Sequence, residues 1–224
     1  MVWPGWATQL FIELLALRVP PSVIPASIMA TTSAFQPNLN LVKNTPCVKL
    51  MRDTRGVLSV TTKTLAAYQV ARAPIYKQQH SDGTDRRQTK IENCIVRIAC
   101  DAGYRCITLD SCILPEDGKA TTCVTAIKQA YQEGREHLDD WRKVTSDMYP
   151  GRQDLLDQLL LSQKLSVKKL AKGGVLMTDN CDTARKFRRE FKQHIEEVCT
   201  EAGMAKGQIV VYEAACRGHG GNSS

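Results

Sequence analysis

The sequence predicts an α/β protein built on a mixed five-stranded sheet with flanking helices, preceded by a small helical region. Three observations carry this. From residue 75 onward the hydrophobic pattern reads strand, strand, strand, helix, strand, helix, strand. The first three strands are separated by short turns, which makes them an antiparallel meander. The last two are each reached through a helix, so they run parallel to their neighbours.

The elements follow in order. Residues 7–19 carry Leu10, Leu14, Leu15 and Val19 at helical spacing, and Pro20 and Pro21 end the run. A second helix starts at Pro25 and reaches about Phe35. Two short helices joined by a turn read either as a helix-turn-helix-like module docking on DNA or as a small packing element. The second helix has no Arg or Lys, which counts against base reading. Residues 36–56, with Pro37, Pro46 and Gly56, read as a connection, and 61–72 as an Ala-rich helix stopped by Pro74. The expected organisation is 1–56 helical region and linker, 57–216 core, and 217–224 flexible tail.

Ile75 to Ser81 is the first strand, closed by Asp82-Gly83 turn chemistry. Ile91 to Ile98 is the second. The third, Tyr104 to Leu114, alternates Ile107, Leu109, Ser111 and Ile113 on one face with Cys106, Thr108, Asp110 and Cys112 on the other. A long helix from Ala120 to about Val144 has the stripe Val124, Ile127, Tyr131, Gly134, Leu138 and Trp141. Leu155 to Leu161 reads as a short helix and 162–174 as a basic linker. Val175 to Thr178 is the fourth strand. Thr183 to Glu201 is a helix with Ala184, Phe187, Phe191, Ile195 and Val198 inward, and Gln208 to Tyr212 is the fifth strand.

The 224 residues are 43% hydrophobic and 24% charged, which excludes a fibrous, low-complexity or largely disordered chain. No run of about 18 apolar residues is present, so no membrane helix is expected. Leu10 to Val19 is broken by Glu13 and Arg18 and has no basic segment before it, so a secretory signal is not expected either. The nine cysteines are therefore read as thiols. A hairpin centred on Gly103 sets Cys100 opposite Cys106 and Cys94 opposite Cys112, roughly 20 Å apart at 3.3 Å per residue, too far to share one zinc ion. Cys216-x-x-His219 supplies two ligands where a structural zinc site needs four. The net charge of +7 suits a polyanionic partner such as nucleic acid.

This order of elements is that of the ribonuclease H-like fold, in which the first and fourth strands are neighbours. Asp82 and Asp179 then end adjacent strands. Paired carboxylates in that position suit Mg²⁺, a hard cation, and two such ions stabilise the attacking and leaving oxygens of phosphodiester chemistry. Each acid also has a plainer reading: Asp82 as a turn residue, Asp179 as a helix cap. Asp110 is a rival first acid, but it leaves no room for two more strands before the long helix. Glu213 is a weak substitute for a third acid. Arg185, Lys186, Arg188, Arg189 and Lys192 are expected on the solvent face of the helix after Asp179, either as an ordinary solvated face or as phosphate contacts joined by Arg86 and Arg87. His80 reads as a neighbour of the acids or a strand histidine with a local partner.

The segments TLAAYQVARAPIYKQQHSDGTDRRQT, ITLDSCILPEDGKA and GGVLMTDNCDTARKFRREF resemble transposase-type proteins of repetitive mobile elements. The resemblance covers roughly residues 13–213. His-Ser-Asp-Gly-Thr is similar to a first-aspartate segment and Thr-Asp-Asn to a second-aspartate segment of cut-and-paste families with a ribonuclease H-like core. It implies Asp82 and Asp179 as catalytic metal ligands, Mg²⁺ as cofactor, DNA as partner, and ancestral DNA cleavage and strand transfer in the nucleus. Such proteins continue past the fifth strand into a Cys/His segment and a helical region with the last acid. The expectation is a truncated copy that is inactive alone. The alternatives are a non-catalytic nucleic-acid-binding module and a truncated product without function.

Overall fold

A computed structural model of the chain describes residues 10, 12–14, 19–20, 22–35, 48–86, 89–100, 103–114, 119–154 and 164–216, without the side chains of 31–35, 50–51, 82–86 and 89. Met1–Thr62 and Lys63–Ser224 are two compact units. The expected helix of 155–161, the linker 36–47, the turns at 101–102 and 115–118, and the tail lie outside the described residues.

In the first unit, residues 10 and 12–14 are helical and α1 spans Ile24–Phe35. Ile24 and Ile28, one turn apart, are buried among Leu10, Ile12, Leu14, Val19 and Leu58. The next helix, α2, spans Val48–Arg72, so it starts in the first unit, ends in the second, and begins well before the expected residue 61. Gly56 does not break it. No proline interrupts the stretch between Pro46 and Pro74, and one exposed glycine costs a helix only about 1 kcal/mol.

The second unit holds a sheet of β1 (Tyr76–Arg86), β2 (Thr89–Cys100), β3 (Gly103–Ile113), β4 (Lys172–Thr178) and β5 (Val210–Ala215), in the order β3-β2-β1-β4-β5. β1, β2 and β3 pair antiparallel, while β4 is parallel to both β1 and β5. Helix α3 (Ala120–Met148) packs on β2 and β3, α4 (Asp182–Glu201) packs on β4, and the two helices pack on each other. The helix-side positions Glu92, Cys94, Val96 and Ile98 are all buried, as are Leu176 and Val211. The expected α3 stripe is inward from Val124 to Leu138, with Trp141 half-buried and edge-on to Tyr68 at 5.4 Å. On α4, Phe187 and Phe191 stack at 5.6 Å and are buried, each contributing roughly 1.5–3 kcal/mol.

Three expectations need correction. First, the chain does not turn at Asp82-Gly83. β1 continues to Arg86, with Asp82 opposite Asn93 and Gly83 opposite Glu92. Register is set by the alternating buried face of β2, and this outweighs the local turn preference of Asp-Gly. Second, the alternation of β3 flips midway. Cys94 faces Asp110 and Ile95 faces Thr108, so Leu109 is the extra residue of a β-bulge. Ile107 and Leu109 point inward, then Asp110, while Ser111 and Ile113 face solvent. The same register sets Cys100 opposite Gly103 and Arg97 opposite Cys106, not cysteine opposite cysteine.

Third, residues 164–174 are core, not linker. Leu165, Val167, Leu170 and Ala171 are buried around a single 3-10 turn, Val167–Leu170. Lys169 reaches in to donate to the Ala71 and Ala73 carbonyls at the end of α2. Gly174, the third residue of β4, lies against that turn, where a Cβ would stand 2.6 Å from the Leu170 carbonyl oxygen.

The two glycines predict opposite outcomes. Gly174→Ala must push backbone apart and should lower stability by about 1–3 kcal/mol. Gly56→Ala meets nothing within 4 Å and should raise stability by about 0.5–1 kcal/mol. Urea unfolding of the three chains checks both signs.

Candidate functional site

β1 and β4 pair at Gln78–Val175, Gln79–Leu176 and His80–Met177, a constant offset of 97 positions. Asp82 and Asp179 are separated by the same 97 positions, each two residues beyond the last pair. The two acids thus stand at the same level of neighbouring parallel strands, Asp179 just past the end of β4 and Asp82 inside β1, which runs on four residues to Arg86. The side chains of Asp82 and Arg86 and the whole of Arg87 lie outside the described residues. Among the described residues, no three His, Cys, Asp or Glu side chains are grouped to hold a metal ion.

Asp179 sits on a braced strand end. The Cys216 amide donates to the Thr178 carbonyl at 2.8 Å. The Thr178 hydroxyl donates to the Asp179 carbonyl at 3.0 Å, and Arg188 Nη1 donates to the same carbonyl at 2.9 Å and to Thr178 Oγ1. The N-cap of α4 is Cys181, so Asp179 is not the cap that its position suggested. It stands instead just before a helix N-terminus, where the peptide dipoles favour a carboxylate.

Arg188 was expected on the solvent face and is not there: it is 6% exposed. It falls four residues after Ala184 and three before Phe191, in phase with the apolar stripe. Its Nε lies 3.8 Å from Glu213, which is also 4.0 Å from Lys192. Glu213 lies within β5 rather than after it, opposite Leu176. The remaining cations of α4 are exposed or half-buried. Arg185 pairs with Asp182 and holds its carboxyl below the usual range, and Lys186 pairs with Glu190. Arg189 is exposed with no acidic partner among the described residues.

The rival acid Asp110 has a structural role. Its carboxylate lies 2.8 Å from Lys63 and accepts from the Ser111 amide at 2.8 Å. Lys63 also reaches Glu133 at 3.6 Å, and its ammonium is held above its ordinary pKa chiefly by Asp110. Burial and the nearby Asp110 push the Cys112 thiol up to about 11, so it stays protonated at neutral pH.

Sequence reasoning passed over one acid. Glu92 is 3% exposed and accepts from the Ser81 hydroxyl, beside Asp82 in the chain. The signal was present, since Glu92 is in phase with Cys94, Val96 and Ile98. His80 is half-buried on the opposite face of β1.

Comparison with family models, with curated proteins and with solved structures gives no match. No helix of the described residues is long and apolar enough to cross a membrane.

Arg188→Met should leave the buried Thr178 hydroxyl oxygen without its donor and the Asp179 carbonyl with the Thr178 hydroxyl alone, and cost about 1–3 kcal/mol. Arg189→Met should stay within about 0.5 kcal/mol of the parent. Chemical denaturation midpoints measured side by side distinguish them.

Proposed function

We propose that the second unit is a ribonuclease H-like core of the mobile-element transposase type, whose ancestral reaction is Mg²⁺-dependent cleavage and strand transfer of DNA. The observation that carries this reading is the shared offset of 97 between the β1–β4 pairs and the two aspartates, within a sheet of order β3-β2-β1-β4-β5. Asp82 and Asp179 are the residues that would hold Mg²⁺. Their oxygens are the hard donors this ion takes. When bound, the ion stabilises charge on the attacking and leaving oxygens of the phosphodiester.

The chain's own residues supply position. Thr178 and Arg188 fix the backbone at Asp179, and the β2 ladder fixes Asp82 opposite Asn93. Glu213 is engaged by Arg188 and Lys192, so it is not assigned as a third ligand. With two acids assigned, metal binding rather than turnover is the expected property of this chain. DNA is the partner in this reading and the nucleus its place of action. Arg189 is the first candidate on α4 for a phosphate, because Arg185, Lys186 and Lys192 already face carboxylates.

Calorimetric titration with Mg²⁺ or Mn²⁺ tests the reading. The parent should bind, and Asp82→Asn and Asp179→Asn should each weaken binding by roughly tenfold or more. Unchanged binding in the double variant removes the metal assignment.

A further inference from the structure

A groove of about 420 Å³ lies between α3 and α4, lined by neither Asp82 nor Asp179, and its chemistry is not used by the proposed reaction. Lys128 and Arg135 line it from α3, His194 and Val198 from α4, and Val167 from the 3-10 turn. Lys128 and Arg135 are seven residues apart on one helix, so about 10 Å of rise separates their backbones. Both side chains are exposed, and neither has an acidic partner among the described residues; Arg135 donates only to Gln132. Both cations act on the His194 imidazole across the groove. The volume falls within the range of small-molecule sites.

Two unpaired cations two turns apart, with an imidazole that feels both, fit two linked anionic groups better than one. We propose that this groove binds a diphosphate, with one phosphate on Lys128, the other on Arg135, and His194 hydrogen-bonding between them. The apolar wall of Val167 and Val198 gives room for an organic body attached to the diphosphate. A free nucleoside diphosphate carries this chemistry; a nucleic-acid strand, whose phosphates are separated by a sugar, does not.

His194 supplies an independent readout. In the free protein its pKa is lowered by burial first, then by Lys128, with Arg135 adding and Glu197 and Glu201 opposing from its own helix. Bound phosphates reverse the local charge and raise the imidazole's pKa, so binding takes up a proton. Affinity should therefore rise as the pH falls from 8 toward 6.5.

The experiment is calorimetry on the full chain with pyrophosphate, adenosine diphosphate, adenosine monophosphate, adenosine and a short single-stranded oligonucleotide. Pyrophosphate and the diphosphate should bind, the monophosphate roughly tenfold more weakly, and adenosine not at all. Lys128→Gln and Arg135→Gln should each cost roughly tenfold. Both positions are exposed, so the variants should keep the parent's unfolding midpoint, which is measured alongside. His194→Gln should abolish the gain between pH 8 and 6.5. An oligonucleotide that binds where pyrophosphate and adenosine diphosphate do not overturns the diphosphate assignment, even if that binding depends on Lys128 and Arg135. Parental affinity in both cation variants overturns the proposal, and so does the failure of every phosphorylated probe to bind at millimolar concentration. Asp82→Asn/Asp179→Asn should leave this binding intact, which separates its failure from that of the metal reading.

Discussion

Three backbone pairs, Gln78–Val175, Gln79–Leu176 and His80–Met177, join the antiparallel half of the sheet to its parallel half. β1, β2 and β3 are sequence neighbours and find each other through short turns. β4 reaches β1 only after the chain has made α3 and returned, with about 97 residues between partners. Closing so long a loop costs entropy that local pairing does not. Burial on the helix side of the joint offsets it. Leu176 is fully buried, and Gln79 is buried with its amide oxygen accepting from Tyr131 of α3 at 2.9 Å. A slip of one residue would turn Gln79 and Leu176 to the other face, so the register, and with it the level of Asp82 against Asp179, follows from the core.

Much of this architecture was legible in the sequence because it rests on periodicity. The stripes of α3 and α4 and the succession of strands and helices come from spacings that survive without tertiary information. The errors arose where non-local pairing overrode a local signal. Asp82-Gly83 has turn chemistry, yet the ladder with β2 runs through it. The bulge at Leu109 depends on how β3 meets β2, and nothing in the alternation of β3 alone announces it. Lys164, Lys168 and Lys172 made 162–174 look like a linker, while Leu165, Val167 and Leu170 between them build core.

At the candidate site, the matching level of the two aspartates was legible, but the run of β1 past Asp82 and the supports of both acids were not. Glu92 and Arg188 lie in phase with apolar neighbours, and their residue type hid them. Burying either alone would cost several kcal/mol. Each is tolerated because partners stand ready: Ser81 for Glu92; Thr178, the Asp179 carbonyl and Glu213 for Arg188. The bulge in β3 acts the same way. It turns Asp110 inward, where Lys63 meets it. Phase predicts burial, and a charged residue in a buried phase therefore predicts a partner from another element.

Helix α4 ties these observations together. Its first turns carry Arg188, whose guanidinium is committed to the end of β4. Six residues later, about 9 Å along the same axis, His194 lines the groove against α3. Most of the other cations of α4 face acids: Arg185 and Lys186 meet Asp182 and Glu190 of the helix itself, and Lys192 meets Glu213 of β5. On α4 the cation without an acidic partner among the described residues is Arg189, and on α3 Lys128, Arg135 and Lys143 are in the same position. Surface pairs of this kind contribute little to stability. Their larger effect is to cancel field locally, so a phosphate approaching α4 is steered by Arg189 more than by the paired cations beside it.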